Sequence, residues 1–214
     1  MKISQRLHKI AEMVKYPTVV DVGTDHALLP IYLVQNGLAE RVLATDVAEG
    51  PLARARENIA AHGLADAVET RLCNGLDGVG AGFQTCIIAG MGGNLIIEIL
   101  RHEAAHSFAQ LLLSPQRNAP DLRRFLHISG YTIAREAMVE ENGKFYNILD
   151  CAVGDDDDYS EIDYLFGKQS SPVFARFIEA ETAKTKAIIS GLNDGNPRKI
   201  ELEKYLQCCE EVRS

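Results

Sequence analysis

Apolar and polar positions follow two patterns along this chain, one typical of helices and one typical of buried strands. Apolar residues recur at helical spacing from Ile3 to Val14, which predicts a helix over residues 3–15. Pro17 ends this helix, since the residue before a proline avoids the α conformation. Residues 18–22 are apolar without alternation, which is typical of a strand buried on both faces.

The two patterns then alternate through the first two-thirds of the chain. Further strands are predicted at residues 41–46, 68–72, 86–89, 111–114, 131–139 and 145–153. Further helices are predicted at residues 30–34, with Pro30 opening the helix, and at 51–61, 95–103 and 121–128. Alternating strands and helices indicate a mainly parallel sheet. The last two strands flank Glu141-Asn142-Gly143, which indicates an antiparallel hairpin. The sequence therefore predicts an α/β fold with a doubly wound sheet.

The alternation stops after Gly154. Four consecutive aspartates, residues 155–158, are too charged for a core and predict a domain boundary. Beyond them an apolar stripe at helical spacing is interrupted by a turn at residues 191–195, after which Asn196 is a candidate helix cap. We predict one domain over residues 1–154 and a coiled-coil-like helical hairpin over residues 155–214.

Composition narrows the class of protein. The chain has 214 residues, of which 46% are hydrophobic, enough for a sizeable core. No apolar run approaches the ~20 residues of a membrane span, and the N-terminus lacks the apolar region of a signal peptide. Five scattered cysteines suit a reduced cytoplasm, where we place the protein. The six histidines are dispersed without ligand spacing, so no metal site is predicted.

The net charge of −8 argues against binding to nucleic acid, but the charges are unevenly distributed. Two segments carry most of the candidate cationic contacts, namely Lys2, Arg6, Lys9 and Lys15, and then Arg117, Arg123 and Arg124. A basic face on an acidic protein is one interpretation. Solvated helix faces are the other, and the sequence leaves both open.

Polar residues follow three successive strands, at the edge where ligands bind in open α/β sheets. Asp21 and Gly23 end the first strand, in the manner of the first motif of S-adenosylmethionine (SAM) methyltransferases. Asp46 ends the second strand, where a carboxylate accepts hydrogen bonds from both ribose hydroxyls. Asn74 follows the third strand, where an amide can contact adenine. Taken singly, each acid has an alternative role as a turn or helix cap.

A nicotinamide-dependent dehydrogenase is a rival interpretation of this edge. The Gly-x-Gly-x-x-Gly pattern is absent, and Asp25 stands where a second glycine would be. Asp21 and Asp25 would repel a pyrophosphate, which favours SAM. The fourth strand ends in Ala89-Gly90-Met91-Gly92, which offers free N–H groups and space instead of a side-chain amide. Close packing of strand on helix is an alternative reason for these glycines.

Four segments together resemble the TrmK family of bacterial tRNA (adenine-22-N1)-methyltransferases. They are Asp21-Val22-Gly23-Thr24-Asp25-His26-Ala27-x-Leu29-Pro30, Ile88-Ala89-Gly90-Met91-Gly92-Gly93, Ser114-Pro115-Gln116 with Arg123-Arg124-Phe125-Leu126, and Glu141-x-Gly143-Lys144-Phe145-Tyr146. The resemblance covers nearly the whole chain. It implies a Rossmann-like SAM domain that methylates N1 of adenine 22, in the D-arm region of tRNA, with S-adenosylhomocysteine as the second product. Asn74-Gly75-Leu76 departs from the Asp-Gly-Leu expected there.

The candidate site residues follow from these strand ends together with the resemblance. Predicted cofactor-binding residues are Asp21, Gly23, Thr24, Asp46, Val47, Asn74, Gly75, Ala89, Gly90 and Met91. Predicted substrate-binding residues are Arg6, Lys9, Gly92, Arg117, Arg123 and Arg124. The predicted catalytic residues are Asp25, near the target base, Gln116, which would hydrogen-bond the adenine, and His26. A histidine bonded to a backbone carbonyl is an alternative for His26.

Two other functions remain open at this point. One is a SAM methyltransferase for another nucleic acid or for a protein, and the other is a SAM-binding module without catalysis. The helical hairpin either contacts tRNA or serves as a packing element. Apart from tRNA we predict no obligate partner, no membrane association and a monomeric protein.

Overall fold

The computed structural model describes residues 1–155, 158–193 and 195–213. These residues form two compact units, Met1–Asp158 and a second that begins at Tyr159. Of the predicted boundary segment, Asp156 and Asp157 lie outside the described residues, as does Asp194 in the predicted turn. Every candidate site residue therefore lies in the first unit.

The first unit is built on a single mixed sheet. Its strands are β1 (Thr18–Val22), β2 (Arg41–Asp46), β3 (Val68–Leu72), β4 (Thr85–Ala89), β5 (Gln110–Ser114), β6 (Tyr131–Glu141) and β7 (Lys144–Val153). Their order is β3-β2-β1-β4-β5-β7-β6. The first five strands are parallel, whereas β7 pairs antiparallel with both β5 and β6. The predicted doubly wound, Rossmann-like α/β fold is confirmed.

The helices of this unit differ from the predicted ones mainly at their ends. They are α1 (Gln5–Met13), α2 (Leu28–Gln35), α3 (Glu49–Ala61), α4 (Gly93–Leu100) and α5 (Ala119–Ile128), with a 3-10 helix at Glu103–Ser107. α2 begins at Leu28 rather than at Pro30, because Ala27 takes a left-handed conformation (φ 56°) and turns the chain into the helix there. Pro30 therefore stands in the first turn, where its missing N–H costs no hydrogen bond.

β1 positions the site because it lies at the centre of the five parallel strands. It pairs with β2 on one side and β4 on the other, so that Val22 is level with Thr45 and Ile88. The last four residues of β1 are buried, as expected for a parallel strand covered by helices on both faces. This register brings the carboxyl ends of the three strands together at one edge.

The second unit is helical. It contains α6 (Glu161–Phe166), α7 (Pro172–Ser190) and α8 (Pro197–Arg213), and α7 and α8 form the expected hairpin. The Tyr205 hydroxyl of α8 donates to Glu181 of α7 at 3.1 Å. The Asn196 side chain accepts from the Arg198 N–H at 3.0 Å, so it caps α8 as predicted. α6 was missed, although Ser160 and Asp163 form a reciprocal capping box that was readable in the sequence. Within the described ranges, no helix is both long and apolar enough to cross a membrane.

A buried ion pair fixes α5 to the β6–β7 hairpin. The Arg123 guanidinium contacts the Glu136 carboxylate at 2.7 Å, and the two side chains are 0% and 2% exposed. Arg123 also donates to the Asn147 side chain at 3.2 Å. Such a pair is costly to break, since a single remaining charge would stay buried.

Replacing Arg123 by Met should therefore lower the free energy of unfolding by about 3–5 kcal/mol. Urea denaturation followed by circular dichroism measures this loss. Arg117→Met, which removes an exposed arginine, is the matched control and should change stability by less than about 0.5 kcal/mol. Equal effects of the two substitutions would contradict the role of the buried pair.

Candidate active site

A cavity of about 620 Å³ opens where the carboxyl ends of β1, β2 and β4 meet. Its wall includes all ten predicted cofactor-binding residues and all three predicted catalytic residues, together with Arg6. The other lining residues are Ser4, Leu7, Val22, Leu28, Leu29, Thr45, Cys73, Leu95, Ile99 and Glu141. The structure thus brings together residues as far apart in the chain as Ser4 and Glu141.

The turn after β1 requires a glycine, because the Met91 side chain packs directly against its backbone. Gly23 has φ +76°, and a Cβ there would lie 2.2 Å from the Met91 side chain. The N–H groups of Gly23 and Thr24 both donate to the Thr45 carbonyl at 2.9 Å. Asp25 follows in the left-handed region (φ 53°), which turns its side chain out of the strand. Only glycine fits at position 23 without displacing Met91.

Asp21 is a buried carboxylate with a single short hydrogen bond. Its Oδ2 accepts from the Thr24 hydroxyl at 2.7 Å. Burial raises the pKa of Asp21 to about 6, the Thr24 hydrogen bond opposes this rise, and the Asp46 charge adds to it. A cationic group placed in the cavity would stabilise the ionised form. The ammonium group of SAM has the required charge.

Asp46 organises the neighbouring turn. Its Oδ1 accepts from the Ala48 N–H at 2.9 Å, and its Oδ2 lies 3.4 Å from the Asp25 N–H. The helix-cap alternative for Asp46 was wrong, because Ala48 is the N-cap residue of α3 and no side chain caps this helix. Asp46 instead caps the turn that precedes the helix, through the Ala48 N–H. The carboxylate also lines the cavity, so capping and ligand contact are compatible. The residues present at this edge fit SAM.

The three predicted catalytic residues lie at the opening of the cavity. The Asp25 carboxylate is 3.5 Å from His26 Nε2, and both side chains are partly exposed. The Gln116 N–H donates to the Met91 carbonyl at 2.8 Å, which places Gln116 beside the turn that follows β4. Asp25 and His26 lie on the β2 side of the cavity, since the Asp25 N–H faces Asp46 and the His26 carbonyl accepts from the Asn58 side chain at 2.9 Å. All three residues line the same cavity.

The glycines after β4 have two distinct roles. Gly90 faces the cavity, and a Cβ there would meet only the Arg6 guanidinium, at 3.9 Å. Gly93 packs closely, since a Cβ would lie 2.4 Å from the Asn118 carbonyl. The close-packing alternative therefore applies to Gly93. Gly92 does not line the cavity and lies against the Arg117 side chain.

The predicted substrate-binding residues are not gathered in one place. Lys9 on α1 does not line this cavity but a separate pocket, and it pairs with Glu12 at 3.0 Å. Arg117 is exposed, and Arg124 is partly buried on α5. The prediction for Arg123 was wrong, because this residue is fully buried against Glu136 and cannot reach a phosphate.

Glu141 is a site residue that sequence reasoning missed. It ends β6, lines the cavity, and accepts a hydrogen bond from the Gln5 N–H at 2.7 Å. Its position in the Glu-x-Gly-Lys-Phe-Tyr segment was the available signal. Nothing local showed that the hairpin folds back onto the first turn of α1.

Comparisons with known proteins agree with this geometry. Residues 3–149 match a family model described as a methyltransferase domain. The tRNA (adenine(22)-N(1))-methyltransferase of Bacillus subtilis is 34% identical over 181 residues, covering 82% of this chain and 76% of that protein. Streptococcus pneumoniae Sp1610 in complex with S-adenosyl-L-methionine is 35% identical with a TM-score of 0.89, covering 99% of each chain. M. capricolum TrmK in complex with S-adenosyl-homocysteine is 26% identical with a TM-score of 0.90, covering 99% of this chain and 98% of that one.

Replacing Asp21 by Asn should stabilise the ligand-free protein at pH 8. The folded-state pKa of about 6 lies above the unfolded value near 3.8, so the wild type loses stability as pH rises from about 4 to about 7. The wild type should lose on the order of 3 kcal/mol of unfolding free energy over this pH range, and Asp21→Asn should not show this loss.

Urea denaturation between pH 4 and pH 8 measures this difference. Asp66→Asn, which alters an exposed aspartate, is the control and should follow the wild type. A variant that is less stable than the wild type at pH 8 would show that burial of Asp21 carries no such cost.

Proposed function

The chain belongs to the family of the bacterial tRNA (adenine(22)-N(1))-methyltransferases, and we propose that it methylates N1 of an adenine in tRNA with SAM as the methyl donor. The observation that supports this most strongly is the cavity at the β1, β2 and β4 ends, which holds the buried Asp21 and the exposed pair Asp25 and His26. Position 22 in the D-arm region is the proposed target, as in the B. subtilis relative.

Transfer to N1 of adenine makes few chemical demands on the protein. The N1 lone pair lies in the plane of the base, so no general base is needed before attack. SAM supplies the methyl group on a sulfonium. The product base is a cation, which a nearby carboxylate stabilises. Alignment of the two reactants and electrostatic stabilisation are then the main contributions of the protein.

We assign these contributions to residues on opposite sides of the cavity. Asp21 and Asp46 would hold the ammonium group and the ribose hydroxyls, and Asn74 the adenine of the cofactor. Asp25 would face the target base, where its charge favours the developing cation. Gln116 would orient the base through its side-chain amide.

Contact with tRNA requires cations outside the cavity. The target adenine must leave its stack to reach the Gly90 turn, which costs a few kcal/mol. Exposed Arg117, next to Gly92, and partly buried Arg124 are the proposed phosphate contacts near the opening, with Lys9 on the flank of α1. Such contacts make binding weaken as salt rises.

We also propose that the protein acts as a monomer in the cytoplasm. The cysteines are free thiols, which is consistent with a reducing compartment. Light scattering of the purified protein tests whether it is a monomer, and a dimer at micromolar concentration would contradict this proposal.

Mass spectrometry of tRNA nucleosides tests the proposed function. Unmodified bacterial tRNA incubated with the protein and SAM should gain 1-methyladenosine. Asp46→Ala should abolish the product by weakening SAM binding, whereas Asp66→Ala should leave it unchanged. A different methylated nucleoside would overturn the substrate. SAM binding without any methylation would favour a non-catalytic SAM-binding module.

Replacing Asp25 by Asn should lower kcat about tenfold, equivalent to ~1.4 kcal/mol of transition-state stabilisation. The amide keeps the shape of the side chain but removes the charge that stabilises the cationic base. SAM affinity should stay within about twofold, because Asp25 faces the target base in this assignment. A large loss of SAM affinity at unchanged kcat would place Asp25 in the cofactor site instead.

We propose that the second unit contacts tRNA. Exposed Lys184 and Lys186 on α7 are candidates, although each pairs with a glutamate of the same unit. A chain that ends at Gly154 should keep its SAM affinity and lose at least about tenfold in tRNA affinity. Unchanged tRNA methylation by this shortened chain would leave α7 and α8 as packing elements only.

A further inference from the structure

Arg6 lies in an unusual environment for an arginine on the first turn of a helix. The guanidinium carbon is 5.0 Å from the centre of the Tyr146 ring. Its Nη1 is buried and has no hydrogen-bond partner within the described part of the chain. Buried guanidinium nitrogens are almost always hydrogen-bonded, and an unpaired one is costly. The environment of Arg6 is therefore incomplete without a ligand.

The guanidinium faces the cavity. Its Nη2 lies 3.9 Å from where a Cβ on Gly90 would stand, so it lies above the turn that follows β4. Arg6 is the one arginine or lysine among the cavity residues that the structure describes. It therefore supplies the positive charge on a wall that also carries Asp21, Asp25, Asp46 and Glu141.

None of these four acids is hydrogen-bonded to Arg6. Asp21 accepts from the Thr24 hydroxyl, and Glu141 accepts from the Gln5 N–H. Asp46 accepts from backbone N–H groups, and Asp25 lies beside His26. The acids therefore leave the Arg6 guanidinium available for an anionic group of a ligand.

SAM carries one anionic group, the carboxylate of its methionine end, beside an ammonium and a sulfonium. The acids of the wall match the two cationic groups, and Arg6, whose guanidinium is always protonated, matches the anion. We propose that Arg6 binds the methionine carboxylate of SAM and thereby positions the methyl group at the Gly90 turn. This inference rests on the proposed use of SAM, and it moves Arg6 from the tRNA contacts to the cofactor contacts. A guanidinium suits the task, since its planar donors bind both carboxylate oxygens.

The fold holds α1 in place for this contact. At the start of the helix, the Gln5 N–H is bonded to Glu141. At the end, the buried Gln110 side chain donates to the Met13 carbonyl at 2.8 Å and accepts from the Lys15 N–H at 3.0 Å. An arginine on a helix fixed at both ends is positioned before the ligand arrives, which lowers the entropic cost of binding.

Isothermal titration calorimetry with two ligands tests the proposal on the full chain. Decarboxylated SAM lacks only the carboxylate, so the ratio of its Kd to that of SAM reports the carboxylate contact. In the wild type we expect SAM to bind about 10- to 100-fold more tightly. In Arg6→Met the preference should fall to about threefold or less. Arg6→Lys should restore part of it, because it keeps the charge without the planar fork.

Arg54→Met removes an exposed arginine on α3 that does not line the cavity. This control should keep the wild-type preference, and circular dichroism should show all variants folded. A preference in Arg6→Met equal to that of the wild type would overturn the proposal. Loss of tRNA affinity at unchanged SAM preference would also overturn it and return Arg6 to the phosphate contacts. The assay measures cofactor binding alone, so a failure to methylate tRNA would refute the proposed function without touching this contact.

Discussion

The buried carboxylate of Asp21 is the feature on which the site depends. It is the penultimate residue of β1, between β2 and β4, so its burial follows from the position of this strand in the sheet. Its pKa near 6 shows that the free protein holds this charge at a cost. When a cationic group of the ligand binds beside Asp21, it offsets the cost of this buried charge. The affinity for the cofactor therefore depends on the burial of Asp21 by the fold. Functional sites often contain residues that lower the stability of the ligand-free protein in this way.

Another part of the cavity wall comes from segments near the two ends of the first unit. α1 precedes the sheet, whereas the β6–β7 hairpin closes it, and the contact between Gln5 and Glu141 joins them beside the cavity. Gln110 fixes the other end of α1 to the sheet through the Met13 carbonyl. α1 is therefore fixed at both ends, with Arg6 lining the cavity.

The sequence predicted the strand ends well because Asp21 and Asp46 lie at the ends of short, mainly apolar runs, and Asn74 stands before the turn residue Gly75. Because parallel strands end at the same edge of a sheet, such residues come together there, and their proximity can be predicted without knowledge of tertiary contacts. The same reasoning failed for Arg123, since exposure of a helical arginine depends on what packs against the helix. Arg123 is on α5, and Glu136 lies 13 residues later on β6. No local sequence pattern links these two residues. Glu141 was missed for a related reason, because only tertiary structure brings the hairpin to α1.

Proton release on SAM binding tests the central claim about Asp21 most directly. Calorimetry at pH 6 in two buffers of different ionisation enthalpy gives the number of protons released per SAM bound. The account predicts about half a proton, because Asp21 is half protonated in the free protein and ionised in the complex. Asp21→Asn should release correspondingly less. No proton release by the wild type at pH 6, with SAM bound, would contradict the account.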